Sequence, residues 1–83
     1  MQILYFSKVR EIIGKDEEEL SPPADVGTIS DLLNWLSAKD PAYQHAFKNP
    51  AGLRAAVNQT FAPMDTVISQ GDEIAIFPPV TGG

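Results

Sequence analysis

Gly82 and Gly83 close the chain behind Pro78-Pro79-Val80-Thr81, and this run follows directly on a strand-like segment. A glycine pair has no side chains to obstruct a narrow channel, so its backbone can approach another surface very closely. The carboxylate of Gly83 is then a chemical handle at the end of a stalk. Pro78 and Pro79 each fix φ and lack an N–H, which takes the segment out of a sheet and onto an extended, polyproline-like path. From Val80 to Gly83 such a path spans about 13 Å. On the glycines alone, a frayed terminus is the simpler reading.

The rest of the chain has to position that handle. Its 83 residues make one domain with a modest core and no room for a deep internal cleft, which favours a module that works through a partner. Net charge is −5 and the acids cluster at Asp16-Glu17-Glu18-Glu19. Nucleic acid and anionic membrane surfaces would repel such a chain, and a basic protein surface suits it better. The acidic run itself reads as a solvated edge rather than a recognition patch. With no cysteine, disulfides, thiolate metal sites and cysteine nucleophiles are all excluded. The single histidine, His45, matches no ligand spacing and reads as a surface or half-buried structural residue, so no metal site is expected. The N-terminus lacks signal-peptide features and no apolar run approaches bilayer length, so the expected location is cytoplasmic.

Met1 to Phe6 is rich in strand formers, and Ser7 is placed to cap a short helix with Val9, Ile12 and Ile13 on one face, stopped by Gly14. Glu17 to Leu20 reads as a charged edge strand closed by Ser21-Pro22-Pro23. From Thr28 a second helix carries Ile29, Leu32, Leu33 and Leu36 at i, i+3, i+4 and i+7, with Asp31 in its first turn. Asp40-Pro41 bars its extension. Residues 41–52 read as a loop with a helical turn around Tyr43 to Phe47. Strands return with Leu53, Ala55 and Val57 alternating against Arg54, Ala56 and Asn58; a turn follows near Asn58-Gln59, then a short segment from Phe61 to Ile68. In the last strand Ile74 and Ile76 share one face, while Glu73, Ala75 and Phe77 share the other. The charge of Glu73 turns that second face outward and makes Phe77 either an exposed aromatic at the root of the tail, suited to anchoring an interface, or a rim residue covered by a neighbouring loop. One mixed sheet over one main helix is the simplest α+β solution, with the first and last strands parallel at its centre, and this order fits a β-grasp. The expected division is a β-grasp domain over 1–77 and an extended tail over 78–83.

Four stretches carry a family resemblance over essentially the whole chain. They are Tyr5-Phe6-Ser7-Lys8-Val9-Arg10-Glu11-Ile12-Ile13-Gly14, Ala55-Ala56-Val57-Asn58-Gln59-Thr60, Gly71-Asp72-Glu73-Ile74-Ala75-Ile76, and Phe77-Pro78-Pro79-Val80-Thr81-Gly82-Gly83. Together they resemble the small, ubiquitin-like sulfur carrier subunits of molybdopterin synthase. A Gly-Gly end alone would also suit thiamine-type sulfur carriers or protein-conjugating modifiers, and a third alternative is an interaction module whose tail is incidental. Ile76 departs from the family, which often has a second aromatic beside the one matching Phe77.

The resemblance implies a function. A C-terminal carboxylate is ionised at neutral pH, with a typical pKa of about 3.5, and is inert until one oxygen becomes a leaving group. In the family an activating enzyme supplies that with ATP and magnesium, forming an acyl-adenylate at the residue matching Gly83; sulfur from a persulfide donor protein then replaces AMP to leave a thiocarboxylate. The carrier binds no cofactor of its own. Its tail, here Pro78, Pro79, Val80, Thr81 and Gly82, threads into the large synthase subunit, where the thiocarboxylate attacks cyclic pyranopterin monophosphate. The implied assembly is a heterotetramer, with catalytic side chains in the large subunit and Phe77 and Phe61 at the interface. Arg10 matches the first-helix motif and takes no catalytic role.

Overall fold

The computed structural model describes residues 1–79. Its elements follow as β1 (Gln2–Tyr5), α1 (Ser7–Ile13), β2 (Glu17–Glu19), α2 (Ile29–Ser37), α3 (Pro41–Ala46), a 3₁₀ turn at Pro50–Gly52, β3 (Arg54–Val57), β4 (Thr60–Ala62) and β5 (Glu73–Phe77). The five strands form one sheet in the order β2-β1-β5-β3-β4. Only β1 and β5 pair in parallel, with Ile3 opposite Ile74 and Tyr5 opposite Ile76; the other neighbours are antiparallel. This is the mixed, ubiquitin-like β-grasp sheet expected from the sequence, with β1 and β5 inside it and β2 and β4 at its edges.

The helix α2 supplies the centre of the core. Thr28 accepts from the Asp31 N–H while the Asp31 carboxylate accepts from the Thr28 N–H, so this N-terminus is closed by a reciprocal capping box. Nine residues make a marginal helix in water. What holds α2 is its stripe: Ile29, Leu32, Leu33 and Leu36 are all buried against the Ile3, Ile74 and Ile76 face of the sheet, each worth roughly 1.5–3 kcal/mol.

Several local expectations change. Ser7 does not cap α1: the N-cap is Phe6, no side chain caps the helix, and Ser7 itself makes the strand-to-helix reversal at φ 53. Gly14 does stop that helix, at φ 83, a left-handed conformation that favours glycine. Residues 41–52 contain a real helix as well as a turn. Asp40 accepts from the Ala42 N–H at 2.8 Å and Pro41 occupies the first turn, so the pair that reads as a stop signal also starts α3. The turn at Asn58-Gln59 is as expected: both residues have positive φ, 51 and 71, as a two-residue type I′ hairpin loop requires. Asn58 also ties this tip to the start of β5, donating to Asp72 at 2.9 Å and accepting from the Glu73 N–H at 3.0 Å. The alternation in β3 fails at Ala56, which is outward by register yet only 8% exposed, because Phe61 and Ala75 flank it on the neighbouring strands.

The acidic run divides. Glu17 and Glu19 are solvated, and Glu19 pairs with the N-terminal ammonium at 3.0 Å. Glu18 lies opposite Ile3 and turns to the helix side, where its side chain is 14% exposed. There it accepts from the Tyr5 hydroxyl at 2.7 Å, from the Tyr43 hydroxyl, and from Lys15 at 3.2 Å. Burial pushes the Glu18 carboxyl up, but these three donors outweigh it and hold the group below the ordinary glutamate value. Burial and the Glu18 carboxylate push both phenols up. One carboxylate thereby fastens edge strand β2 to β1 and α3. Tyr5, Tyr43 and Phe47 continue the cluster inward with ring centroids 6.2 to 6.5 Å apart.

Candidate functional site

The end of β5 is held from both sides, by β1 and by β3, and the Phe6 N–H still donates to the Ile76 carbonyl at 3.3 Å. β5 ends at Phe77. Pro78 cannot donate to a ladder, so pairing stops where the prolines begin. Pro78 and Pro79 therefore follow an anchored interior strand rather than a loose edge.

Register decides what surrounds that point. Because Ile74 and Ile76 face the helices, Ala75 and Phe77 face outward, and Arg54 on β3 lies directly opposite Phe77. On the next strand Phe61 lies opposite Ala56, on the same outer face. Phe61 and Phe77 meet, ring centroids 5.8 Å apart and tilted by 49°. Phe77 is consequently half-buried, nearer the covered rim residue than the exposed anchor, and its cover is not a loop but Phe61 of β4, which is 80% exposed. The two rings, Arg54 and Pro79 line a shallow groove of about 460 Å³. Its surface is apolar with one cation at the edge.

That cation was not singled out by sequence. The Arg54 guanidinium donates to the Leu53 carbonyl at 2.8 Å and the Ala51 carbonyl at 3.3 Å, and no ion pair engages it among the described residues. Its alternation with Leu53 and Ala55 places it on the outer face, but only the strand register sets it beside Phe77. Arg10, by contrast, lies 3.8 Å from Asp16 in an exposed pair, an arrangement worth little.

Phe61, Phe77 and Pro79, all singled out from sequence, thus gather at one corner of the sheet, while Pro78, singled out with them, lines a different surface beside α1. Val80, Thr81, Gly82 and Gly83 lie outside the described residues. Among the described residues no three or more His, Asp or Glu side chains gather as a metal site would require, and no helix is long and apolar enough to cross a membrane.

Known proteins resemble this chain in sequence and in fold. The chain is 40% identical to the molybdopterin synthase sulfur carrier subunit of Escherichia coli, with 100% of this chain and 99% of that one aligned. It is 37% identical to the Haemophilus influenzae protein of the same description, over 100% and 99% of the two chains. Among solved structures, the small archaeal modifier protein 1 of Haloferax volcanii superimposes with a TM-score of 0.77 at 25% identity, covering 96% of this chain and 97% of that one. The model of the ThiS family matches residues 3–83. With that match running through the strand end, the aromatic corner and the residues beyond it, the chain belongs to the ThiS family, alongside the molybdopterin synthase sulfur carrier subunits.

Proposed function

We propose that this chain is the sulfur carrier subunit of a molybdopterin synthase, acting in molybdenum cofactor biosynthesis, and that Gly83 carries the sulfur. The observation that supports this most is the end-to-end likeness to the Escherichia coli carrier subunit. The absence of any cysteine supports it too, because the C-terminal carboxyl is then the group able to hold a transferable sulfur.

The carboxylate oxygen of Gly83 attacks the α-phosphorus of ATP, held with magnesium by an activating enzyme, and pyrophosphate leaves. The terminal sulfur of a donor protein's persulfide attacks the acyl-adenylate and expels AMP. A thiol cleaves the resulting acyl disulfide and leaves the thiocarboxylate. Residues 78–83 act as the tail and residues 1–77 as the domain that presents it. The tail enters the large synthase subunit, where side chains of that subunit complete sulfur transfer to cyclic pyranopterin monophosphate. By this reading the assembly is a heterotetramer in the cytoplasm and the chain itself holds no cofactor. Phe61 and Phe77 supply apolar contact at the entrance, and Pro78 and Pro79 lower an ordering cost that otherwise runs to about 1–2 kcal/mol per residue.

Intact mass spectrometry tests this directly. Incubation with activating enzyme, ATP and a persulfide donor is expected to add roughly 16 Da, one oxygen exchanged for sulfur, at Gly83. The likeness to an archaeal modifier protein favours one second reading, in which the same activated carboxyl is joined to lysines of target proteins. Isopeptide-linked conjugates without any thiocarboxylate would favour that reading and overturn the first.

A further inference from the structure

Consecutive prolines line two different grooves. Pro79 lines the sheet-face groove with Phe61 and Phe77, whereas Pro78 lines a second one, of about 360 Å³, between α1 and the segment joining α3 to β3. The floor of this second groove is apolar: Val9 and Leu53 are buried there and Ile12 is half-buried. Its rim is basic, with Lys8, His45 and Lys48 all exposed. No carboxylate lines it, although the chain has 11 acidic residues against six lysines and arginines. The ion pairs among the described residues engage the N-terminus, Arg10 and Lys15, leaving Lys8 and Lys48 outside them. A locally positive surface with a greasy floor therefore adjoins the tail root of a net-negative protein.

We infer that this groove is a docking surface for an acidic segment of the large synthase subunit, in which carboxylates flank an apolar side chain. The inference rests on the sulfur carrier reading. Charge complementarity sets the chemistry of the occupant: carboxylates meet Lys8 and Lys48 while an apolar group covers Val9, Ile12 and Leu53. Continuity with the tail root sets the partner, since a protein that encloses the chain past Pro78 and Pro79 reaches both grooves at once. The division of labour is physical. Aromatic contact at Phe61 and Phe77 supplies adhesion with little orientational preference, whereas an ionic rim on the opposite side of the tail sets register and speeds encounter.

Calorimetric titration of the full chain into the large subunit, at low and high salt, tests the assignment. The double variant K8E/K48E is expected to bind about ten-fold more weakly at low salt, and K8Q/K48Q less so, with the differences narrowing as salt screens them. Thermal melting of both should match the unsubstituted protein, because the two lysines are exposed and outside the ion pairs of the described residues. F61A should lose affinity to a similar extent at either salt concentration. Equal low-salt affinity of the unsubstituted chain and both lysine variants overturns the inference. So does a defect confined to thiocarboxylate formation by the activating enzyme, which would make that enzyme the occupant. If the unsubstituted chain neither gains sulfur at Gly83 nor binds a large subunit, the carrier reading falls and this inference with it; binding that ignores the lysines defeats only the inference.

Discussion

Two aromatic corners of the same sheet treat their polar neighbours in opposite ways. At the β2 side, Tyr5 and Tyr43 turn their hydroxyls onto Glu18, and Lys15 completes the set, so every member has its partner within the chain. At the β4 side, Phe61 is 80% exposed against Phe77, and among the described residues Arg54 donates to backbone carbonyls alone. The first corner is closed: its polar groups are satisfied internally, which stabilises the fold and offers little to a second protein. The second is open, with apolar area and a charge that no ion pair among the described residues engages, left beside the end of β5. Satisfied polarity marks architecture at the first corner, and the proposed function makes the open corner the interface.

Removing Gly82 and Gly83 should produce the largest effect, complete loss of sulfur loading by intact mass, with a melting temperature close to that of the full chain because the buried core of the described residues is built from positions between Ile3 and Ile76. A truncated chain that still loads sulfur would detach function from the open corner altogether. Next in size, Glu18→Ala strips three donors of their acceptor and should cost about 1–3 kcal/mol in urea unfolding, while binding of the large subunit by the folded fraction is retained. A large binding defect with intact stability would show that the closed corner is an interface after all. Phe61→Ala should do the reverse: unfolding free energy changes by about 0.5 kcal/mol or less, while affinity for the large subunit falls about ten-fold or more. The smallest effect is one of pH. Because the Glu18 carboxyl sits below its ordinary value of 4.5 in the folded chain, its contribution is fully present above that value and is lost as pH falls through the folded one. Melting temperature between pH 6 and pH 3, regions chosen to bracket the ordinary carboxylate range of about 4, should fall less steeply in Glu18→Gln than in the unsubstituted protein.

The parts of the fold that the sequence made legible are those governed by neighbours three or four residues away. The Ile29, Leu32, Leu33, Leu36 stripe, the Gly14 stop and the Asn58-Gln59 turn all follow from local periodicity or local backbone preference. Misreadings fall where two distant segments decide jointly. Ser7 carries a side chain suited to capping, yet the short passage from β1 to α1 makes it the reversal point instead. Glu18 belongs by composition to a solvated run, and only its place opposite Ile3 brings it to two phenols from elsewhere in the chain. Nothing near Arg54 in sequence distinguishes it, and the pattern of β5 leaves the exposure of Phe77 open because its cover comes from another strand.

The Gly-Gly handle, the stiffening prolines, the missing cysteine and the main helix are properties of residue type and short spacing, and the sequence by itself determined them. Strand register was a tertiary decision. A strand alternates every residue, so which of its two faces meets the core, and which side chain on another strand it meets there, depends on pairings between segments dozens of residues apart. Those pairings made the departing strand an interior one, set Phe61 over Phe77 with Arg54 beside them, and closed the opposite corner around Glu18.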